Sequence, residues 1–267
     1  MEGAVVRERA PAKIALCIPC YGDTKARFTQ SLAAMIAHFL SADITTPEGE
    51  PIARDVKTFM VASSMLTQSR HMLVAEALAW GADHLLWLDA DHVFPEDALA
   101  RLWARNLPIV GCNYARRCHP TAPTAARTID GTNDHRNLVY TTPRKAADDL
   151  IEEVDHIGLG LCLMDMRILD LLQHRAEEDG RDSFLPLFHF ETKPDGFGII
   201  GEDVYFFRKL REAGVPVHVD HALSWEVGHL HEQIMTNALA VAHEEKWVAS
   251  TMERARQQRA ETLAAAG

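Results

Sequence analysis

The apolar residues of this chain follow two alternating patterns. Short apolar runs typical of buried β-strands lie at residues 13–18, 55–62, 84–88, 108–112, 157–164 and 215–219. Between these runs, apolar residues at helical spacing predict α-helices at residues 28–40, 69–80, 95–105, 168–174 and 202–213. Strands that alternate with helices favour a single α/β domain, in which helices flank a mostly parallel central sheet.

Two parts of the sequence depart from this alternation. Residues 113–149 are largely polar, and loops of this length in a compact domain are commonly functional or mobile. Beyond His231 the chain is alanine-rich and predicted to be helical to its end. We therefore divide it into a domain at residues 1–231 and a helical extension at residues 232–267. The extension either packs on the domain or pairs two copies of the chain in a homo-oligomer.

Composition narrows the range of functions. The chain has 267 residues and a net charge of -11, which argues against a broad basic surface for nucleic acids. No apolar run approaches the roughly 18 residues of a transmembrane helix, and the first residues lack the basic and apolar segments of a signal peptide. We therefore expect no transmembrane segment and a cytoplasmic location.

The five cysteines are predicted to be reduced thiols, because their number is odd and the chain is long enough to fold without disulfides. Cys17 and Cys20 have the C-x-x-C spacing of redox and zinc sites, with Cys112 and Cys118 as further ligands under the zinc hypothesis. No second C-x-x-C completes such a site, and Cys17 lies within an apolar strand pattern. We interpret the pair as small residues of the core or of the edge of a site.

An acidic pair, Asp89-Ala90-Asp91, directly follows the strand predicted at residues 84–88. In sheets of this kind, ligands bind at the carboxyl ends of the strands. Two carboxylates at that point offer hard oxygen ligands to Mg²⁺ or Mn²⁺, which in turn hold the phosphates of a substrate. The competing interpretation is that Asp89 and Asp91 only cap the helix that follows.

A second acidic site, Gly201-Glu202-Asp203, opens the helix predicted at residues 202–213. A carboxylate held there by free backbone N–H groups stays ionised at neutral pH, which suits it to orient or deprotonate a hydroxyl group. The alternative is again a capping role that only stabilises the start of the helix.

The C-terminal part of the domain contains four candidate metal ligands, His218, His221, His229 and His231. In an extended segment, His229 and His231 face the same side, and neutral imidazole is a common ligand of manganese and zinc. We favour His229; surface or edge-strand histidines are the competing interpretation. Two glycines, Gly158 and Gly160, indicate either the close approach of a ligand or a bulge or tight crossing.

In their order and spacing, these motifs resemble glycosyltransferase family 2, whose members have the Rossmann-like GT-A fold. The resemblance covers about residues 13–231. It rests on six segments, Ile18-Pro19-Cys20-Tyr21, Ser69-Arg70, Leu88-Asp89-Ala90-Asp91, Gly158-x-Gly160, Gly201-Glu202-Asp203-Val204-Tyr205-Phe206 and Gly228-His229. The implied architecture is a single GT-A domain with a helical C-terminal tail.

The resemblance implies transfer of a sugar from a nucleotide-diphosphate donor to an acceptor hydroxyl, with Mn²⁺ or Mg²⁺ on the diphosphate. Pro19 and Tyr21 would hold the nucleoside, and Arg70 would approach the nucleotide. The segment Asp89-Ala90-Asp91 would bind the donor, with both acids contacting ribose and metal and Asp91 most directly. His229 would be a further metal ligand, with His231 as the alternative.

Asp203 matches the catalytic base of inverting relatives, and Glu202 lies beside it in the same catalytic site. Inversion at the sugar carbon would follow. Residues 61–65 lack the acidic residue with which relatives often read the base, so the nucleobase stays open, as do the sugar and the acceptor. Two other functions remain: a nucleotidyltransferase, weakened by the single glycine in residues 20–25, and a non-catalytic GT-A-like binding module.

Overall fold

The computed structural model describes residues 12–45, 52–128, 137–178, 186–193, 196, 198–231 and 234–265. Its strands are β1 (Ala12–Cys20), β2 (Arg54–Ala62), β3 (His84–Leu88), β4 (His92–Val93), β5 (Ile109–Gly111), β6 (Ile151–Val154), β7 (Leu161–Asp165), β8 (Glu191–Thr192), β9 (Ile199–Ile200), β10 (Val217–Asp220), β11 (Gly228–Leu230) and β12 (Ile234–Thr236). Its helices are α1 (Ala26–Ser41), α2 (Leu66–Trp80), α3 (Ala98–Ala104), α4 (Pro143–Ala147), α5 (Arg167–Glu178), α6 (Glu202–Glu212), α7 (His221–Glu226), α8 (Asn237–Ala242) and α9 (Glu244–Ala265).

A seven-stranded sheet with the order β2-β1-β3-β7-β5-β10-β6 forms the centre of the fold. Strands β2, β1, β3, β5 and β10 run in one direction, whereas β7 and β6 run against them. Helices cover both faces, and helix α9 ends the described chain. The predicted α/β architecture, with a mostly parallel sheet flanked by helices and a helical C-terminal tail, is confirmed.

Each face of the sheet has its own hydrophobic core. On one face, α2 and α6 contribute Leu73 and Phe207 to a cluster that includes Trp87 of β3. On the other face, α1 contributes Phe28 to a cluster that includes Leu86 of the same strand. Because the central strands are buried on both sides, their sequences are continuous apolar runs, which is what made them recognisable.

Some element boundaries differ from those predicted. Strand β1 continues through Pro19. The pairing of β1 with β3 ends at Cys17, so Pro19 lies where β1 pairs with β2 alone, and there a proline is tolerated. Strand β6 was not predicted; it is an edge strand that pairs with β10 alone and contains two glutamates. In α6, Val204 is half-buried, whereas Tyr205 and Phe206 are buried.

The start of the C-terminal extension is also different. The prediction of a continuous helix after His231 is wrong, because residues 234–236 form β12, which pairs antiparallel with β11. Helices α8 and α9 then follow as expected. The domain boundary between residues 231 and 232 stays a prediction. In the part of the chain that the structure describes, no helix is long and apolar enough to cross a membrane.

Candidate active site

A small sheet joins two distant parts of the chain at the carboxyl edge of the central sheet. Strand β4 begins at His92, directly after Asp91, and pairs antiparallel with β11, so that His92 lies opposite His229. The backbone N–H of Leu230 also donates a hydrogen bond to the carbonyl oxygen of Asp91, at 2.6 Å. This pairing brings the histidine of the Gly228-His229 motif beside the acidic pair that follows β3.

Asp91, His92 and His229 form a cluster with the spacing of metal ligands. One ligand atom from each residue lies within 4.8 Å of the other two. The Oδ1 atom of Asp91 is 3.2 Å from Nδ1 of His92 and 3.3 Å from Nε2 of His229. The two imidazole rings are stacked, with centroids 4.3 Å apart and an interplanar angle of 18°. The ligand atoms of all three side chains therefore converge on one point between them.

Three polar atoms of this cluster lack a hydrogen-bond partner, as is expected of atoms that bind a cation. Nδ1 of His229 lies 2.9 Å from the carbonyl oxygen of Ala115, and since a carbonyl can only accept, Nδ1 carries the proton. In the neutral ring, Nε2 of His229 then presents a lone pair towards Asp91, as in a metal-bound histidine. Asp91 Oδ1 and both ring nitrogens of His92 are buried without a hydrogen-bond partner, because the short contacts lack hydrogen-bond geometry.

The charge on Asp91 is stabilised by its surroundings. Burial would raise the pKa of Asp91, but His229 and His92, when their rings are protonated, outweigh burial and hold the pKa well below its ordinary value. The second oxygen, Oδ2, lies 2.6 Å from Nη1 of Arg117, an exposed side chain of the loop that follows β5. The ionised Asp91 carboxylate therefore lies between the two histidines and Arg117.

Asp89 belongs to a separate group centred on Arg70. This arginine is 2% exposed and lies over the Trp87 ring, 5.0 Å from its centroid. Nη2 of Arg70 donates to Asp89 at 3.2 Å, and Nε donates to Glu202 at 3.3 Å. Arg70 thus holds the carboxylate after β3 and the carboxylate that opens α6 in one arrangement, while its Nη1 is buried without a partner among the described residues.

Asp203 lies beside this group and differs from the other acids. Burial, and next the charge of Glu202, raise the pKa of Asp203 to about 6, although the Val204 N–H and Arg70 act in the opposite direction. The Val204 N–H donates to Oδ1 at 2.7 Å. At neutral pH this carboxyl is mostly ionised yet more basic than an ordinary aspartate, which is the property of a general base.

Tyr114 packs against both histidines of the cluster. Its ring packs edge-on against His92, with centroids 4.2 Å apart, and against His229, at 5.4 Å. Its hydroxyl accepts a hydrogen bond from the Gly160 N–H at 3.1 Å. A Cβ atom on Gly158 would lie 2.5 Å from Cζ of Tyr114, and one on Gly160 would lie 2.8 Å from it. Of the two interpretations of these glycines, the structure therefore supports tight packing against side chains.

The remaining predicted residues lie around the same edge. Tyr21 is 86% exposed directly after β1, while Pro19 is buried within the strand. His231 is exposed beyond the end of β11, so it is His229 that reaches Asp91. His92 was missed by sequence reasoning, because it lies next to Asp91 and outside any spaced motif. The donor-binding roles of Pro19, Tyr21, Arg70 and the Asp89-Ala90-Asp91 segment stay predictions.

Four of the five cysteines are buried in the interior. Cys17 Sγ donates to the carbonyl of Leu73, Cys20 Sγ donates to that of Val61, and all five cysteines are free thiols. Burial raises the pKa of Cys17, although Arg70 lowers it slightly, so its thiol stays protonated. Among the described residues, the group with metal-ligand spacing contains no cysteine, in agreement with the interpretation of Cys17 and Cys20 as core residues.

No protein-family model and no curated protein matches the chain. Solved structures that are similar to it include A197 from STIV, at 15% identity over 84% of this chain and 93% of that one, with a TM-score of 0.45. GalNAc-T7 with UDP, GalNAc and Mn²⁺ is 15% identical over 84% of this chain and 44% of its own, with a TM-score of 0.47. The catalytic domain of Drosophila beta1,4galactosyltransferase 7 in complex with xylobiose is 15% identical over 82% and 71%, with a TM-score of 0.44. At this degree of similarity, function has to be argued from the residues of the site.

Proposed function

We propose that the protein is a metal-dependent glycosyltransferase of GT-A type, which transfers a sugar from a nucleotide-diphosphate donor to an acceptor hydroxyl with inversion. The observation that carries the proposal is the convergence of Asp91, His92 and His229 within 4.8 Å at the carboxyl edge of the sheet. A separate carboxylate with the pKa of a base, Asp203, completes the requirements of such a reaction.

The donor set favours Mn²⁺ over Mg²⁺. Asp91 offers one oxygen, and His92 and His229 offer nitrogens; imidazole suits transition metals, whereas Mg²⁺ prefers oxygen ligands. A divalent cation bound there would stabilise the negative charge that develops on the leaving diphosphate. Asp89, which the resemblance places on both ribose and metal, is paired with Arg70 at 3.2 Å, and we assign it to the nucleotide.

Two side chains outside the metal-ligand cluster are assigned to the donor. Arg117 is exposed and already meets a negative oxygen of Asp91 at 2.6 Å, so its guanidinium has the position and charge to contact a diphosphate. Tyr21 presents an exposed ring after β1, as a base or ribose would require for stacking. Pro19 keeps the backbone of this strand end rigid.

Asp203 is the proposed base. Its ionised carboxylate would accept the proton of the acceptor hydroxyl as that oxygen attacks the sugar carbon, on the face opposite the leaving diphosphate. A direct displacement of this kind inverts the configuration. Glu202 and Arg70 act as positioning residues, because their ion pair at 3.3 Å fixes the start of α6, from which Asp203 projects.

Titration of a nucleoside diphosphate with and without Mn²⁺ tests the metal dependence. We expect tight binding to the wild-type protein only with Mn²⁺, and loss of that dependence in His229→Ala. His231→Ala is the matched control, because His231 is exposed on the same segment, and it should behave like the wild-type protein. Binding that is equal with and without Mn²⁺ would refute the proposal and favour a non-catalytic module.

A screen of nucleotide sugars for Mn²⁺-dependent hydrolysis then identifies the donor. The screen separates this proposal from a nucleotidyltransferase, which would act on a nucleoside triphosphate and release pyrophosphate. Cytoplasmic residence stays a prediction, to be tested by cell fractionation.

A further inference from the structure

The loop formed by residues 115–123 contacts two of the three residues of the metal-ligand cluster. At the start of the loop, the carbonyl oxygen of Ala115 accepts a hydrogen bond from Nδ1 of His229, at 2.9 Å. Two residues further on, Nη1 of Arg117 lies 2.6 Å from Oδ2 of Asp91. The loop therefore supports one ligand through its backbone and places a positive charge against another.

The backbone that carries Arg117 is fixed by hydrogen bonds within the loop. The Arg116 N–H donates to the carbonyl oxygen of Ala122 at 2.8 Å, and the Thr121 hydroxyl donates to the carbonyl oxygen of Arg116 at 2.6 Å. The Arg117 side chain itself is 43% exposed. A guanidinium has five N–H donors, and the contact with Asp91 uses only some of them. Arg117 therefore has donors available to an anion that enters from the solvent.

The two oxygens of Asp91 have different partners. Oδ1 faces the ring nitrogens of His92 and His229, whereas Oδ2 faces Arg117. A divalent cation held by Oδ1 and two neutral imidazoles would share the carboxylate with the guanidinium. Because the Asp91 side chain is only 19% exposed, solvent screens the repulsion between these positive charges weakly. Arg117 should therefore oppose a cation that binds alone.

A diphosphate reverses the sign of this effect. Its negative oxygens attract both a divalent cation and the guanidinium, and the hydrogen bonds of arginine to phosphate are among the stronger ones in proteins. The formal charges of Asp91 and Arg117 sum to zero, so a cation alone would leave its own charge uncompensated. A diphosphate would supply that compensation, and the same guanidinium then favours the cation.

We infer that Arg117 makes the binding of the cation and of the donor diphosphate interdependent: it weakens binding of the cation alone and strengthens binding of the two together. The inference rests on the proposed function, which supplies both ligands. The net charge of -11 attracts divalent cations to the protein in general. Arg117 thus makes the cluster selective for a cation that is accompanied by a diphosphate.

Two titrations of the full chain test the inference. In the first, Mn²⁺ is added to the protein alone, and the electron paramagnetic resonance signal of free Mn²⁺ gives its affinity. In the second, ADP, GDP, CDP or UDP is added at saturating Mn²⁺, and calorimetry gives the affinity of the nucleotide. We expect Arg117→Gln to bind Mn²⁺ alone about 3- to 10-fold more tightly than the wild-type protein, and to bind the best of the four nucleotides about 10-fold or more weakly.

Two further variants separate the charge of Arg117 from a structural role. Arg117→Lys keeps the positive charge but loses the planar fork, so its affinity for Mn²⁺ alone should stay within about 2-fold of wild type while nucleotide binding weakens. Arg101→Gln is the matched control, because it removes an ion pair of similar length, 2.7 Å, between Arg101 and Glu226. This control should match the wild-type protein in both titrations.

Only opposite changes in the two affinities support the inference. It is overturned if Arg117→Gln equals the wild-type protein in both titrations, or if its affinity for Mn²⁺ alone falls together with its nucleotide affinity, as a structural role of Arg117 would cause. If Arg117→Lys bound Mn²⁺ alone as tightly as Arg117→Gln, charge would not be the cause, and the inference would also fail.

The two proposals fail in different ways. If Arg117→Gln shows the opposite changes but no nucleotide sugar is cleaved with Mn²⁺, the proposed function is wrong and the coupling through Arg117 stands. If cleavage of a nucleotide sugar is Mn²⁺-dependent but the opposite changes are absent, the glycosyltransferase proposal stands and the coupling is wrong. Failure of every variant and of the wild-type protein to bind Mn²⁺, with or without nucleotide, overturns both.

Discussion

Replacing Gly160 with alanine tests whether His92 belongs to the metal site. The added Cβ would lie 2.8 Å from Nε2 of His92 and 2.8 Å from Cζ of Tyr114, whereas carbon contacts of lowest energy lie at about 3.5–4.0 Å. Both rings would have to move by about 1 Å. Overpacking of this kind costs about 1–3 kcal/mol, which corresponds to a fall in Tm of about 2–12 °C in a domain of this size.

The same movement should weaken metal binding. Because Tyr114 packs on both His92 and His229, we expect the affinity for Mn²⁺ to fall about 10- to 100-fold, the usual effect of disturbing the support of a ligand. Thermal unfolding and Mn²⁺ titration of the same preparation measure both effects. Gly22→Ala is the control, since its Cβ would meet nothing within 4 Å.

Two outcomes would refute this reasoning. If Gly160→Ala matched Gly22→Ala in both Tm and Mn²⁺ affinity, the packing of Tyr114 and His92 would not be as described. If the Tm fell but the Mn²⁺ affinity did not change, His92 would not be a metal ligand.

Four further predictions concern the two acidic groups, the buried arginine and the C-terminal helix. Asp91→Ala should abolish turnover and Mn²⁺-dependent nucleotide binding, measured by calorimetry. Asp203→Asn should lower kcat about 10²- to 10⁴-fold with donor affinity nearly unchanged; in the wild-type protein, kcat should fall below pH 6, because the pKa of Asp203 is raised to about 6 and the base must be ionised. Unchanged kcat in Asp203→Asn would exclude this role. Arg70→Met should cost about 3–5 kcal/mol in urea denaturation, because it leaves the Asp89 and Glu202 carboxylates without their cation; Arg144→Met, at an exposed pair, should cost under about 0.5 kcal/mol. If α9 joins two copies of the chain, replacing its exposed residues Val248 and Met252 with lysine should convert a dimer to a monomer, as measured by light scattering.

The sequence was sufficient for the central strands β1, β3, β5 and β7 because they are buried on both faces. β3 matches the predicted range at residues 84–88, and α2 ends at Trp80 as predicted, before Gly81, which has a φ of 73°. Strand β6 could not be found in this way, because an edge strand with Glu152 and Glu153 has no apolar run. Strand β12 was hidden by the alanine-rich composition around it.

Of the three clustered residues, Asp91 and His229 were singled out from the sequence, but their arrangement with His92 could not be predicted. Asp91 was identified from its position after a strand, since the carboxyl edge collects ligands, and His229 from its place among the histidines of an extended segment. The ion pair of Arg70 with Glu202 joins residues 132 positions apart, and no local pattern encodes such a contact. The same is true of the β4–β11 pairing that brings His92 beside His229, and of the pairing of Asp89 with Arg70.

The pairing of β4 with β11 has a consequence for the order in which the protein matures. Every strand of the large sheet lies before residue 221, whereas His229 is supplied by β11. A polypeptide that ends at β10 contains every strand of the large sheet together with Asp91 and His92, but it lacks His229. Under the proposed function, the cation site is therefore completed only once β11 has paired with β4, and a chain terminated before β11 is expected to lack metal-dependent activity.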